Sequence, residues 1–235
     1  MIKKIIEYFL FKISRVIYLL IPSEFKKKSP TFETLLDKTT KENFDYFGKY
    51  FPKTMIFHTI KSIQKYAIEI ALENDKAKNK FYLEFGVWKG DSANFFSDYV
   101  TIYAFDSFEG LKEDLIGTHG PKGTFNLNKK IPKLKKNVQP IVGWVQDTLE
   151  DFLVKHNPSI NFVNLDMDTY ETSKYVLEKI KPYLIQGAII LFDELYNFPG
   201  WRHHEFKALQ EVFEENEYIF KAFNLSDKQV VIKIN

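Results

Sequence analysis

A doubly wound α/β domain is expected from three features of this 235-residue chain. Apolar runs of strand length alternate with helical patterns, the first such run ends in a glycine turn that opens a helix, and two later runs end in carboxylates. Parallel strands covered on both faces read as continuous apolar runs, and each needs a crossover helix before the next. In such sheets ligands sit outside the carboxyl ends of the strands, where the strand order reverses.

Composition narrows the classes. Apolar residues make up 45% of the chain, enough for one large core with some decoration. A net charge of +2 gives no overall electrostatic reason to bind nucleic acid, and no aromatic-basic platform for single strands is visible. The absence of cysteine excludes disulfides and thiolate metal sites, so any metal must be held by carboxylates, histidines or carbonyls. It also agrees with a cytoplasmic location. The expected division is an N-terminal amphipathic helix with a connecting segment over 1–53, then a domain over 54–235.

In the first 21 residues, helical winding puts Ile2, Ile5, Ile6, Phe9, Ile13, Val16, Ile17 and Leu20 on one face. Lys3, Lys4, Glu7, Lys12, Ser14 and Arg15 fall on the other. The apolar run is too interrupted to span a bilayer, and no small-residue cleavage site follows. This face can pack on the domain, cover a subunit contact in a homo-oligomer such as a dimer, or lie at the inner membrane face with help from Lys26, Lys27 and Lys28. Residues 29–53 show weak periodicity, and 54–72 carry a helical pattern ahead of the first strand.

The stretch FYLEFGVWKGDS (81–92) reads as a buried strand, a glycine turn and a helix N-terminus, where backbone N–H groups can meet a nucleotide-like ligand. Its pattern is E-x-G-x-x-x-G, set by Glu84, Gly86 and Gly90, with Ser92 opening the helix. A dinucleotide fingerprint needs a glycine where Trp88 stands, so a pyrophosphate is not the expected guest. Glu84 is an acceptor, and an acceptor suits a cationic amino or sulfonium group; S-adenosylmethionine is the guest this favours. The next run, IYAFD, ends in Asp106, 22 positions beyond Glu84, where an acid at the end of the second strand can take both ribose hydroxyls. Ser107 follows, and Phe108 can lie against adenine.

Few apolar runs occur between Asp106 and Val138, and a loop of that length in a compact domain can close over a site. Its lysines Lys129, Lys130, Lys133, Lys135 and Lys136 make either a solvated face or a contact for an anionic substrate or membrane surface. VQPIVGW (138–144) is the third strand, followed by a helix from Asp147 to His156. INFVNLD is the fourth strand, 172–184 a helix, GAIILFDE the fifth strand, and 203–216 another helix. EYIFKAFN and KQVVIKIN are joined by too short a turn for a crossover and must be antiparallel. A seven-stranded, mostly parallel sheet with a C-terminal antiparallel hairpin results.

The fourth and fifth strands deliver Asp166, Asp168, Asp193 and Glu194 to the edge that holds Glu84 and Asp106. Carboxylates crowded there must hold protons or a divalent cation such as magnesium, manganese or calcium, unless they serve only to cap the following helices.

LEFGVWKGDS, YAFDSFEGL, the GTF of the long loop, VGWVQDTL, NLDMDTY and FDELYNFPGWRHHEFKA together carry a resemblance. From about Phe81 to Phe213 the chain resembles the macrocin O-methyltransferase family of class I S-adenosylmethionine-dependent methyltransferases. The resemblance implies a Rossmann-like fold and methyl transfer from S-adenosylmethionine to a hydroxyl of a sugar or glycan-type acceptor. Natural-product or aromatic hydroxyls are the alternative acceptors. It further implies magnesium or another divalent cation held by Asp166, Asp193 and Glu194. With it, the expected cofactor set is Glu84, Gly86, Gly90, Ser92, Asp106, Ser107, Phe108 and Asp147. Asp168 is the candidate base, two residues from a ligand on the same edge, with His203 or His204 as the alternative. GWRHHEFKA can equally be a helix start in which Arg202 and Glu205 pair with each other. A non-catalytic S-adenosylmethionine-binding subunit is the competing reading, but it would be expected to have lost the acids that this chain retains.

Overall fold

The computed structural model describes Ile6, Leu10, Lys12, Ile13 and residues 30–235. The amphipathic N-terminal segment therefore lies outside the described residues except for those four, which are helical and exposed. Two compact units divide between Lys38 and Thr39. Helix α1 (Pro30–Phe47) begins in the first and ends in the second, although its sequence shows little periodicity. Its last residue explains its place. Phe47 is fully buried, edge-on to Tyr196 at 5.3 Å and to Phe206 at 5.6 Å between ring centroids.

The larger unit holds an eight-stranded sheet in the order β1-β7-β8-β6-β5-β2-β3-β4. Its strands are β1 (Met55–Phe57), β2 (Lys80–Phe85), β3 (Ile102–Asp106), β4 (Val138–Val142), β5 (Ser159–Leu165), β6 (Leu184–Phe192), β7 (Tyr218–Asn224) and β8 (Val230–Ile234). The helices of this unit are α2 (Ile60–Leu72), α3 (Asp91–Phe96), α4 (Val145–His156), α5 (Tyr170–Ile180) and α6 (Glu205–Val212). Only β8 runs against its neighbours, pairing antiparallel with both β6 and β7.

The count corrects the seven strands expected. Met55, Ile56 and Phe57 form an edge strand, parallel to β7 with Met55 opposite Ala222, and the helix expected from Thr54 starts at Ile60. Thr59 decides that boundary, its hydroxyl accepting the Ser62 N–H at 3.2 Å as an N-cap. A second shift is at 203–216, where α6 is confined to Glu205–Val212 behind a short 3-10 turn at Trp201–His203.

The alternation along β2 sorts its side chains to two cores. Leu83 and Phe85 pack with Phe105, Leu149, Val176 and Phe206 on one face, while Tyr82 packs with Ile63, Phe96, Ala104 and Phe162 on the other. Both faces are thus sealed, and the carboxyl ends of β2, β3, β5 and β6 are left as the open edge.

Candidate active site

The strand order reverses between β2 and β5, whose carboxyl ends lie side by side. There Gly86 takes φ +88°, and a Cβ at this position would sit 1.8 Å from the Asp166 carbonyl oxygen. Glycine is demanded by both the left-handed backbone and the close approach of β5. The opening above it is a cavity of about 460 Å³, within the usual range for small-molecule sites. Gly86, Ser92, Asp106 and Ser107 line it, together with Asp166, Asp168, Asp193 and Glu194. Trp88 and Phe125 also line it, edge to face at 5.1 Å between centroids.

Asp106 does more than face the cavity. Its Oδ2 accepts the N–H groups of Val87 and Trp88, both at 2.8 Å, and its Oδ1 accepts the Phe108 N–H at 2.6 Å. One carboxylate therefore holds the turn after β2 and the turn after β3 in mutual register, with one lone pair, on Oδ1, left over for a ligand.

Glu84 lies beneath that turn and is fully buried. Its Oε1 accepts from the Ser92 hydroxyl and from Asn164 Nδ2, the latter at 3.1 Å, while Oε2 has no partner. Burial pushes its carboxyl up to about 8 against the pull of those two hydrogen bonds. A raised value means that the folded chain keeps a proton that the unfolded chain has already released. Stability against urea is accordingly expected to be complete in this contribution below about 4.5 and to decline as pH rises toward about 8. Glu84→Gln should flatten part of that decline, and an unchanged pH slope in the variant would overturn the assignment.

Burial first, and then mutual repulsion, raises the carboxyls of Asp166 and Asp168 well above the usual range. Asp193 rises to about 6 for the same reasons, opposed by the hydrogen bond that Gln229 Nε2 donates to its Oδ1 at 3.1 Å. Asp168 sits at φ +59°, and the negative charge of nearby Glu194 adds to the burial that pushes its carboxyl up. Capping does not account for Asp168: at Thr169, the N-cap of α5, no side chain caps the helix. Lys228 Nζ reaches Glu194 Oε1 at 2.6 Å, and Glu205 Oε2 accepts the Glu194 N–H at 3.0 Å. The chemistry of Asp166 and Asp193 fits a divalent cation. Glu194 is already paired, and among the described residues no group of three or more acids or histidines stands ready to hold a metal ion.

A family profile described as a methyltransferase domain matches residues 83–195. Over these residues the chain is similar to a methyltransferase domain. The span runs from β2 to the end of the fifth-strand acids and so contains the cavity's glycine turn, Asp106 and the acid cluster. Among curated proteins no sequence matches the chain. A solved structure of CalS11, a calicheamicin methyltransferase, is similar at 20% identity and a TM-score of 0.60, over 89% of this chain and 95% of that one. The structure of the O-methyltransferase NovP is similar at 16% identity and a TM-score of 0.50, over 74% and 78% of the two chains. At such identities the likeness is one of fold. The matched segment and the fold together support a class I S-adenosylmethionine-dependent methyltransferase.

Within the methyltransferase domain the other expected site residues fall elsewhere. Glu84, Gly90, Phe108 and Asp147 do not line the cavity; Glu84, expected to meet the cofactor, is instead fully buried beneath the turn on Ser92 and Asn164. Gly90 caps α3, and Asp147 is exposed on α4. Phe108 is 1% exposed, turned by its positive φ of 57° into the core with Val87 and Phe96, so its ring cannot lie against a ligand there.

The two histidines lie beyond that domain. His203 is exposed and outside the cavity. His204 is buried, and its Nε2 lies 2.8 Å from the Ile116 carbonyl oxygen, so that nitrogen carries the proton. It pins the long loop where a Cβ on Gly117 would meet the Pro199 carbonyl oxygen at 1.8 Å. The Arg202–Glu205 pair is absent, since Arg202 lies over the Trp201 ring at 4.2 Å and Glu205 serves Glu194.

Sequence reasoning left Asn164, Gln229 and Lys228 out of the site. Only the period-two alternation ending at Asp166 could have signalled Asn164, as the polar residue two positions before that acid.

Proposed function

We propose that this methyltransferase transfers the methyl group of S-adenosylmethionine to a hydroxyl of a sugar or glycan-type acceptor, with a divalent cation. One observation carries the reading: Asp166, Asp168, Asp193 and Glu194 line the same cavity as Gly86, Asp106 and Ser107. A transferase acting on an already strong nucleophile has no need of such a group of acids. Supporting it, CalS11 is described as a TDP-rhamnose 3'-O-methyltransferase and NovP as an O-methyltransferase. The resemblance to the macrocin O-methyltransferase family, which methylates hydroxyls, agrees.

The chemistry divides between the two sides of the cavity. S-adenosylmethionine, when bound, supplies an electrophilic methyl group. The turn after β2, fixed by Asp106, supplies its seat. On the opposite side Asp168 takes the proton of the hydroxyl, because His203 is outside the cavity and His204 is committed to Ile116. Asp166 and Asp193 would hold the cation, which lowers the pKa of the hydroxyl and offsets the crowded negative charge. Tying the Trp88 and Val87 N–H groups to one carboxylate keeps the seat rigid while the acceptor side changes charge.

The test combines calorimetry with turnover. S-adenosylmethionine is expected to bind and NAD not, and exhaustive chelation should abolish methyl transfer to a hydroxyl acceptor while leaving cofactor binding intact. Full turnover after chelation would show that the acids act without a metal. Among the described residues no helix is long and apolar enough to cross a membrane. The basic, amphipathic pattern of residues 1–28 supports a peripheral position at a membrane face or a contact between subunits as part of the same proposal.

A further inference from the structure

Lys228 stands on the turn between β7 and β8 and reaches into the acid cluster from a strand pair that no cofactor motif includes. Its Nζ lies 2.6 Å from Glu194 Oε1, with side chains 28% and 13% exposed, so this ion pair is largely withdrawn from water. The turn is stitched to the acids twice more, through Gln229 on Asp193 and through the Leu195 N–H, which donates to the Lys228 carbonyl at 3.2 Å. From the other side Glu205, fully buried, accepts the Glu194 N–H while its Oε1 has no partner. Among the described residues Lys228 is the cation that ion-pairs within this group of acids.

We propose that Lys228 is a resident counter-cation that holds Glu194 away from the metal-binding carboxylates and so sets how tightly a divalent ion binds. The inference rests on the metal reading above. An arriving dication meets a like charge at short range in a poorly hydrated site, and it finds one oxygen of Glu194 already taken. Asp166 and Asp193 are left to bind it first; Glu194 has only Oε2 without a partner, and it offers both oxygens only by giving up Lys228. The lysine thus acts on the metal through Glu194, as a positioning residue.

Manganese titrated into the full chain, with the free ion counted by electron paramagnetic resonance, tests this on the wild type, K228Q and K228R. Glutamine keeps a donor for Glu194 without the charge, and arginine keeps the charge. K228Q is expected to bind manganese at least about tenfold more tightly than the wild type, with K228R close to the wild type. Equal affinity in wild type and K228Q would overturn the role of Lys228 and leave the metal reading standing. No binding by any of the three would overturn both. A second readout needs no variant: saturating magnesium should release Lys228 from Glu194 and raise its acetylation rate, mapped by mass spectrometry. Labelling that magnesium leaves unchanged would count against the displacement.

Discussion

Gly86→Ala is expected to destabilise the protein by about 3 kcal/mol or more and to remove cofactor binding. The added Cβ would stand 1.8 Å from the Asp166 carbonyl oxygen, and the residue would have to hold φ +88°. Neither problem has a flexible side chain to yield to. The obstacle is the backbone of β5, itself paired on both sides, so relief requires prising β2 from β5 at the centre of the sheet. That movement also displaces Asp166. Gly123→Ala is the control, because its φ is +84° but nothing lies within 4 Å of the added atom. It should show the cost of the backbone conformation alone, about 1 kcal/mol. Thermal unfolding and S-adenosylmethionine calorimetry on both variants would decide, and a Gly86→Ala protein as stable as Gly123→Ala would refute the close-approach argument.

Asp106→Ala should weaken S-adenosylmethionine binding by a hundredfold or more. Three backbone N–H groups converge on this carboxylate, and hydrogen bonds to a charged acceptor are each worth about 1.5–3 kcal/mol. Without it the turn after β2 loses its tie to the turn after β3, and the cofactor would lose its rigid seat together with the ribose acceptor proposed for it. Asp106→Asn should fall between, since one oxygen remains to accept while the amide faces N–H groups that it cannot serve. Calorimetry showing wild-type affinity in Asp106→Ala would remove Asp106 from the site.

The alternation of apolar runs made the doubly wound sheet legible, because buried strands and crossover helices leave different periods in the sequence. The edge strand at Met55 was not legible. Three apolar residues ahead of a helix fit either state, and the pairing with Ala222 that settles it comes from far along the chain. At the site, the glycine turn and the acids were readable from local spacing. Phe108 misled because the residue after a strand-end acid can face ligand or core, and only its positive φ separates the two. His204 looked catalytic by residue type, yet its nitrogen is spent on a loop carbonyl 88 positions away in sequence. Lys228 and Gln229 were hidden for a related reason: tertiary pairing of β8 with β6, and no motif, brings them to Asp193 and Glu194.

The placement of β8 also bears on biogenesis. Val230–Ile234 leaves the ribosome after every other strand described, yet it is inserted between β6 and β7. Until then the nascent chain carries β6 with an open, apolar flank at Ile189, Ile190, Leu191 and Phe192. Translation therefore runs ahead of closure, and the edge of β6 stays open to edge-to-edge association until the β7–β8 hairpin docks.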